Sequence, residues 1–250
     1  MNNYLTIHEV SHLLNIPEST LRYWQDKEIF SIRRADNNYR HYTLSDVVEI
    51  AEIAFYRRMG IPTRKMGNFT QLDFESYSSM LAETSAALED EIASCQSMLS
   101  QLKLKSQHVK TIEFLKTCSY VREQVPFDRV IPFSFEDRRQ LLRYAETPSL
   151  YVRVVPSDDL NGDIRGIIAG PEDQEIPALW EKKTSKPFAA FLIEENVSNG
   201  YTNNIEEKLT LIQKKYKTGL ILANYLFGVT VDGQRIDYLK GYAELLDEKI

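Results

Sequence analysis

From Phe74 to Lys116 the chain contains neither glycine nor proline, the two residues that most readily end a helix. Within that stretch Leu81, Leu88, Cys95, Leu102 and Val109 recur at seven-residue intervals. Ile92 and Leu99 supply the other half of a seam, and Ser85 and Ser106 are its weak spots. The spacing predicts one helix about 60 Å long with an apolar stripe along one side. Such a stripe is longer than its own chain readily covers, so a second helix, and with it a dimer, is expected. The helix also divides the chain into residues 1–73, a dimerisation helix over 74–117, and a C-terminal domain over 118–250.

Ahead of the long helix lie short helices punctuated by turns. "TIHEVSHLLNI" starts on Thr6 with Glu9 three residues later, the spacing of a capping box. Ile7, Val10, Leu13 and Leu14 then form a one-sided apolar face. Asn15-Ile16-Pro17 breaks this helix, and Pro17 and Glu18 suit the first turn of another. Two short helices joined by a turn of three or four residues predict a helix-turn-helix. "FSIRRADNNYRHYTL" reads as strand, turn at Asp36-Asn37-Asn38, and return strand. "SDVVEIAEIAFYRRMGI" reads as a capped amphipathic helix stopping at Gly60.

A helix-turn-helix sets its second helix in the major groove of DNA while flanking elements grip phosphate. Leu21 must face the first helix, which leaves Ser19, Thr20, Arg22 and Tyr23 nearer the outside. Arg22 suits phosphate or a guanine edge, and Tyr23 offers a hydroxyl to phosphate. Trp24, next in line, has an N–H donor but no hydroxyl. The hairpin adds Arg33, Arg34, Tyr39, Arg40 and His41 as a basic wing, and Arg57, Arg58, Arg64 and Lys65 follow the third helix. The formal net charge of the 250 residues is −6, but Arg22 to Met66 holds nine Lys/Arg against six Asp/Glu. Positive charge is therefore concentrated where the motif needs it.

These residues resemble a known family. "YLTIHEVSHLLNIPESTLRYWQDKEIF", "NNYRHYTLSDV" and "FYRRMGIPTRKM" are similar to the winged helix-turn-helix domain of MerR-type transcription regulators, over about 65 residues. The resemblance implies a homodimer joined by an antiparallel coiled coil of the long helices. It implies DNA contacts by Thr20, Arg22, Tyr23, Tyr39 and Arg40. Trp24, Arg33, Arg57, Arg64 and Lys65 complete the candidate DNA-binding set. The family's second aromatic is here Trp24, and the glycine before the wing's Tyr-Arg is here Asn38. An inverted repeat in promoter DNA, RNA polymerase and a distortion of an over-long promoter spacer are likewise what the resemblance implies.

The segment from Cys118 onward alternates strand-like and helix-like stretches. "RVIPFS", "LYVRVVP", "IRGIIAG", "PFAAFLIEE", "GLILANYLFGVTV" and "RIDYLKGYAELL" are rich in β-branched and aromatic residues. "SFEDRRQLLRYAE" and "TNNIEEKLTLIQKKY" read as helices, the former with Ser134 and Asp137 in capping-box register. Two helices among about six strands predict an α+β domain, so the whole chain is α+β. Its order of elements resembles the gyrase-inhibitor-like effector domain of multidrug-type MerR regulators. That likeness implies an aromatic pocket for a small hydrophobic effector, cationic in many relatives. Tyr151, Trp180, Phe188, Tyr225 and Tyr242 are the candidate lining, with Glu194 as counter-charge. The pocket glutamate of the multidrug branch aligns with Leu226, which keeps a neutral ligand open.

Competing readings make the C-terminal domain a small-molecule hydrolase, a partner-binding module, or a metal or redox sensor acting through Cys118. A hydrolase would have Glu194 or Glu195 with a nearby tyrosine and no serine, cysteine or histidine constellation. A thiolate metal site wants about four ligands, and the chain has two cysteines, Cys95 and Cys118. His8 and His12 stand at i, i+4 on the first helix without further ligand spacing. No catalytic residue, cofactor or metal is assigned, and a non-enzyme is expected. "MNNYLTIHEV" lacks a basic end followed by an apolar run, and no stretch approaches about 18 uninterrupted apolar residues. A cytoplasmic location without membrane contact is the expectation.

Overall fold

The computed structural model describes residues 4–32, 41–66, 73–183 and 187–248. The chain divides into two units, Met1–Met98 and Leu99–Ile250.

In the first unit, α1 (Ile7–Leu14) is closed at its start by the Thr6–Glu9 capping box and at its end by Asn15, whose φ of 52° is left-handed. Helix α2 (Glu18–Asp26) follows directly on Pro17. Leu13, expected on the apolar face of α1, is exposed, whereas Val10 is buried and Ile7 and Leu14 pack on the same core. At 100° per residue, position i+6 has already rotated off the face that i, i+3 and i+7 share. Helix α3 (Leu44–Arg58) begins at Thr43, which forms a reciprocal capping box with Asp46. Leu5 and Tyr42 exchange backbone hydrogen bonds of 2.8 Å, a two-residue antiparallel bridge that the sequence did not advertise. The core gathers Val10, Leu21, Trp24, Ile50 and Ile53 from the three helices and Phe30 and Tyr42 from the segments that flank them. Met80, from the start of the long helix, belongs to it as well. The wing's turn at Asp36-Asn37-Asn38 lies outside the described residues.

The glycine- and proline-free stretch is a single 43-residue helix, α4 (Phe74–Lys116). Asp73 accepts a hydrogen bond from the Ser76 backbone N–H at 2.7 Å, satisfying a donor of the first turn. Most of the seam side chains are exposed on the single chain, Leu99 at 51% and Leu102 at 68% among them.

The second unit is built on one antiparallel sheet of nine strands. These are β1 (Val121–Glu123), β2 (Arg129–Pro132), β3 (Tyr151–Pro156), β4 (Ile164–Ile168), β5 (Trp180–Glu181), β6 (Phe188–Asn196), β7 (Thr202–Asn203), β8 (Tyr216–Val231) and β9 (Gln234–Glu248). Their order is β1-β6-β9-β8-β3-β4-β2-β5, with β7 paired to β6. All six expected strands are present; the three short ones, β1, β5 and β7, carry too few residues for an alternating pattern to register. Helices α5 (Arg138–Glu146) and α6 (Ile205–Gln213) complete the unit. Asp137 alone caps α5, accepting from the N–H groups of Arg139 at 2.9 Å and Gln140 at 3.3 Å. Ser134 instead receives the Glu136 N–H at 3.2 Å, so the expected capping box is replaced by a single-residue cap.

The sheet buries both faces. Phe191 and Ile193 of β6, Ile221 and Ala223 of β8, and Leu239 and Ala243 of β9 pack against Ile205, Leu209 and Ile212 of α6. On the opposite face Leu192, Leu226 and Tyr238 pack against Ile112 and Leu115 at the end of α4. Between Tyr225 and Phe227 the β8–β9 register slips by one residue, a β-bulge at Leu226. The Leu226 carbonyl accepts a 2.8 Å hydrogen bond from Lys105 Nζ of α4.

Candidate nucleic-acid interface and ligand cavity

Helix α2 sorts its side chains sharply. Leu21 is fully buried and Trp24, three residues on, is 5% exposed, so both lie on the face toward α1 and α3. Arg22 and Tyr23 point outward, Tyr23 at 48% exposure. Thr20 is half-buried beside them. Trp24 is therefore a core residue rather than a DNA contact: its large indole fills the space behind the helix.

Glu18 organises the outer surface. Its carboxylate stands 3.1 Å from Arg22 Nη2 one turn away and 3.2 Å from His8 Nδ1 of α1. Arg22 is thus held pointing along the helix by an exposed ion pair, which contributes little stability and yields easily to a phosphate.

The residues after α3 divide. Arg57 donates to the Ile61 carbonyl at 2.7 Å and closes the end of α3. Lys65 is ion-paired to Glu83 of α4, so it is a strut between the end of the three-helix unit and the long helix rather than a free cation. Arg64 is exposed. Arg33, Tyr39 and Arg40 of the expected wing lie outside the described residues.

In the second unit a cavity of about 540 Å³ opens on the sheet face that carries α5 and α6. Phe133, Phe135, Tyr144 and Tyr151 wall one side, with ring centroids 4.9–6.2 Å apart in mostly edge-to-face contacts. Tyr201, Tyr225 and Leu239 complete the wall, and Arg153, Asp163, Arg165, Glu195, Arg235 and Asp237 bring charge. Burial pushes the Tyr151 hydroxyl up; burial and then the Asp237 carboxylate push up that of Tyr225. Both stay protonated as hydrogen-bond donors.

Of the residues expected to line one pocket, the structure brings together only Tyr151 and Tyr225. Trp180 and Phe188 line a separate cavity of about 310 Å³ with Leu179, Lys182, Lys183 and Glu244. Tyr242, 2% exposed, is core beside Phe127 on the other face of the sheet. Glu194 lies on the α4 face, 3.3 Å from Lys116 Nζ, and its neighbour Glu195 takes the place in the cavity. Strand alternation decides this: Glu195 shares parity with Phe191 and Ile193, and Glu194 with Leu192. Leu226 likewise faces α4, away from the cavity.

Missed by the sequence reading were Phe133 and Phe135, which precede α5, Tyr144 in its last turn, and the three arginines. The only available signal was aromatic spacing across a loop and a helix, where periodicity carries no information about facing. Cys118 Sγ packs 3.7 Å and 3.9 Å from the carbonyls of Phe114 and Leu115. Among the described residues no group of three or more His, Cys, Asp or Glu is placed to hold a metal, and no helix is long and apolar enough to cross a membrane.

A capped helix and a second helix that starts directly on Pro17, a tight turn between them, a third helix behind and an outward Arg-Tyr pair define a helix-turn-helix DNA-binding domain. Residues 5–68 match the family model for MerR HTH family regulatory proteins. Residues 5–68 are therefore a MerR-type helix-turn-helix. No curated protein matches it significantly. Among solved structures it is similar to HiNmlR, a MerR family regulator lacking the sensor domain, bound to promoter DNA, at 17% identity over 45% of this chain and 95% of that one, TM-score 0.35. It is also similar to a putative MerR family transcriptional regulator from Listeria monocytogenes, at 22% identity over the same shares, TM-score 0.36.

Proposed function

We propose that the chain is a homodimeric regulator that binds an inverted repeat in promoter DNA and changes transcription when its C-terminal cavity takes a small, largely hydrophobic effector. The observation that carries this reading is the aromatic-walled cavity of about 540 Å³ in a chain that also holds a MerR-family DNA-binding domain. Dimerisation runs through α4, whose exposed leucines meet those of a second copy in an antiparallel coiled coil. Thr20, Arg22 and Tyr23 contact the DNA, Arg33, Tyr39 and Arg40 form the wing, and Arg64 reaches backbone further out. Binding distorts an over-long spacer so that RNA polymerase meets both promoter elements, and the effector shifts the balance between the two DNA-bound states.

The test uses DNA flanking the chain's own coding region. The expected footprint covers an inverted repeat within the promoter spacer, and an effector changes transcript yield without being consumed. Turnover of the compound assigns the C-terminal domain to catalysis instead. Promoter affinity and output unmoved by every compound that fills the cavity makes the protein architectural.

A further inference from the structure

The cavity's carboxylates are already spoken for. Glu195, its side chain 6% exposed, accepts from Arg153 Nη2 at 2.6 Å and from Asn203 Nδ2 at 3.3 Å. Asp237 accepts from Arg235 Nε at 3.0 Å, and Asp163 stands 3.8 Å from Arg153 Nη1. The guanidinium side is not used up. The Nε–H of Arg153 is buried and makes no hydrogen bond. Arg165 lies 5.5 Å over the Phe135 ring and forms no ion pair among the described residues.

A cation that pairs with Glu195, the most buried of these carboxylates, must pull it from Arg153 and leave a largely buried guanidinium without its closest partner, which is costly. An anion instead adds an acceptor where donors lack one. Resting on the effector-cavity reading above, the geometry points to a small aromatic acid as the effector: its ring lies against Phe133, Tyr144 and Tyr151, and its carboxylate or sulfonate pairs with Arg165. Phe135 holds the Arg165 guanidinium over its ring face, so the cation is positioned before the ligand arrives.

The full-length protein is titrated calorimetrically with three probes of one shape: 2-naphthoate, 2-naphthalenemethanol and (2-naphthylmethyl)trimethylammonium. Naphthoate is expected to bind about tenfold more tightly than either of the others. Arg165→Gln removes that preference and leaves the alcohol's affinity unchanged, whereas Arg165→Lys keeps most of it. Arg165 is exposed, so these variants are expected to fold, and circular dichroism checks it. Tyr144→Ala weakens all three probes, which locates them in this cavity. An ammonium probe that binds as tightly as naphthoate overturns the inference, as does a naphthoate preference that survives Arg165→Gln. Failure of all three to bind, or binding indifferent to Tyr144→Ala, removes the effector-cavity reading itself.

Discussion

Arg22, Tyr23 and Trp24 are consecutive in the chain and opposite in environment. The division follows from Leu21: a residue three further on shares its face, and the two between do not. Trp24→Ala removes a side chain with 5% exposure from a closely packed core and should destabilise the first unit by about 3–5 kcal/mol. Chemical denaturation measures this; loss of DNA affinity with unchanged stability would return the indole to the DNA surface. The burial of Trp24 was thus legible in the spacing from Leu21, although its kinship with the DNA-contacting trio obscured it. The choice between Glu194 and Glu195 was not. Strand β6 is buried on both faces and reads as "FAAFLIEE", an unbroken apolar run without alternation, so parity has no visible anchor. The arginines that neutralise the cavity come from β3, β4 and β9, and only the folded sheet makes them neighbours.

At the scale of elements, α4 was the most legible part of the molecule, because an uninterrupted heptad stripe has few other structural meanings. What covers it was not written in one chain. On the proposed dimer, Leu99→Glu places a charge on the seam and should convert the protein to monomers, read by light scattering during gel filtration. A mass unchanged by that substitution would move dimerisation off α4. The end of α4 carries a second testable feature in His108. Burial, and after it the Lys105 charge, hold its imidazole below the ordinary value of 6.5, against an opposing hydrogen bond to the Leu226 backbone. The unfolded chain therefore takes up a proton more readily than the folded one. Stability is fully present above that ordinary value and is lost as pH falls through it toward the folded-state value. Denaturation midpoints at about pH 7.5 and about pH 5.5 should draw closer together in His108→Gln than in the parent.

For the molecule as a whole, a net charge of −6 and a DNA-binding unit coexist because the charge is unevenly distributed. Binding should accordingly weaken with salt as phosphate contacts release counterions. Arg22→Ala is expected to weaken binding and, if Arg22 grips phosphate, to lower the log–log salt slope by about one. A weaker variant with an unchanged slope would assign Arg22 to a base edge instead. The helix-turn-helix was foreshadowed by the capping box of α1 and the turn that follows it, since both signals are local. The cavity was not, because its walls come from elements far apart in sequence. The bulge at Leu226 has one more consequence. A strand has period two, so a single extra residue acts as a half-period phase shift. From Ile221 to Tyr225 the odd-numbered side chains of β8 face α6 and the cavity, and from Phe227 onward they face α4. One strand thus writes alternately to two sides of the sheet, and the place where it changes sides is the carbonyl that Lys105 holds.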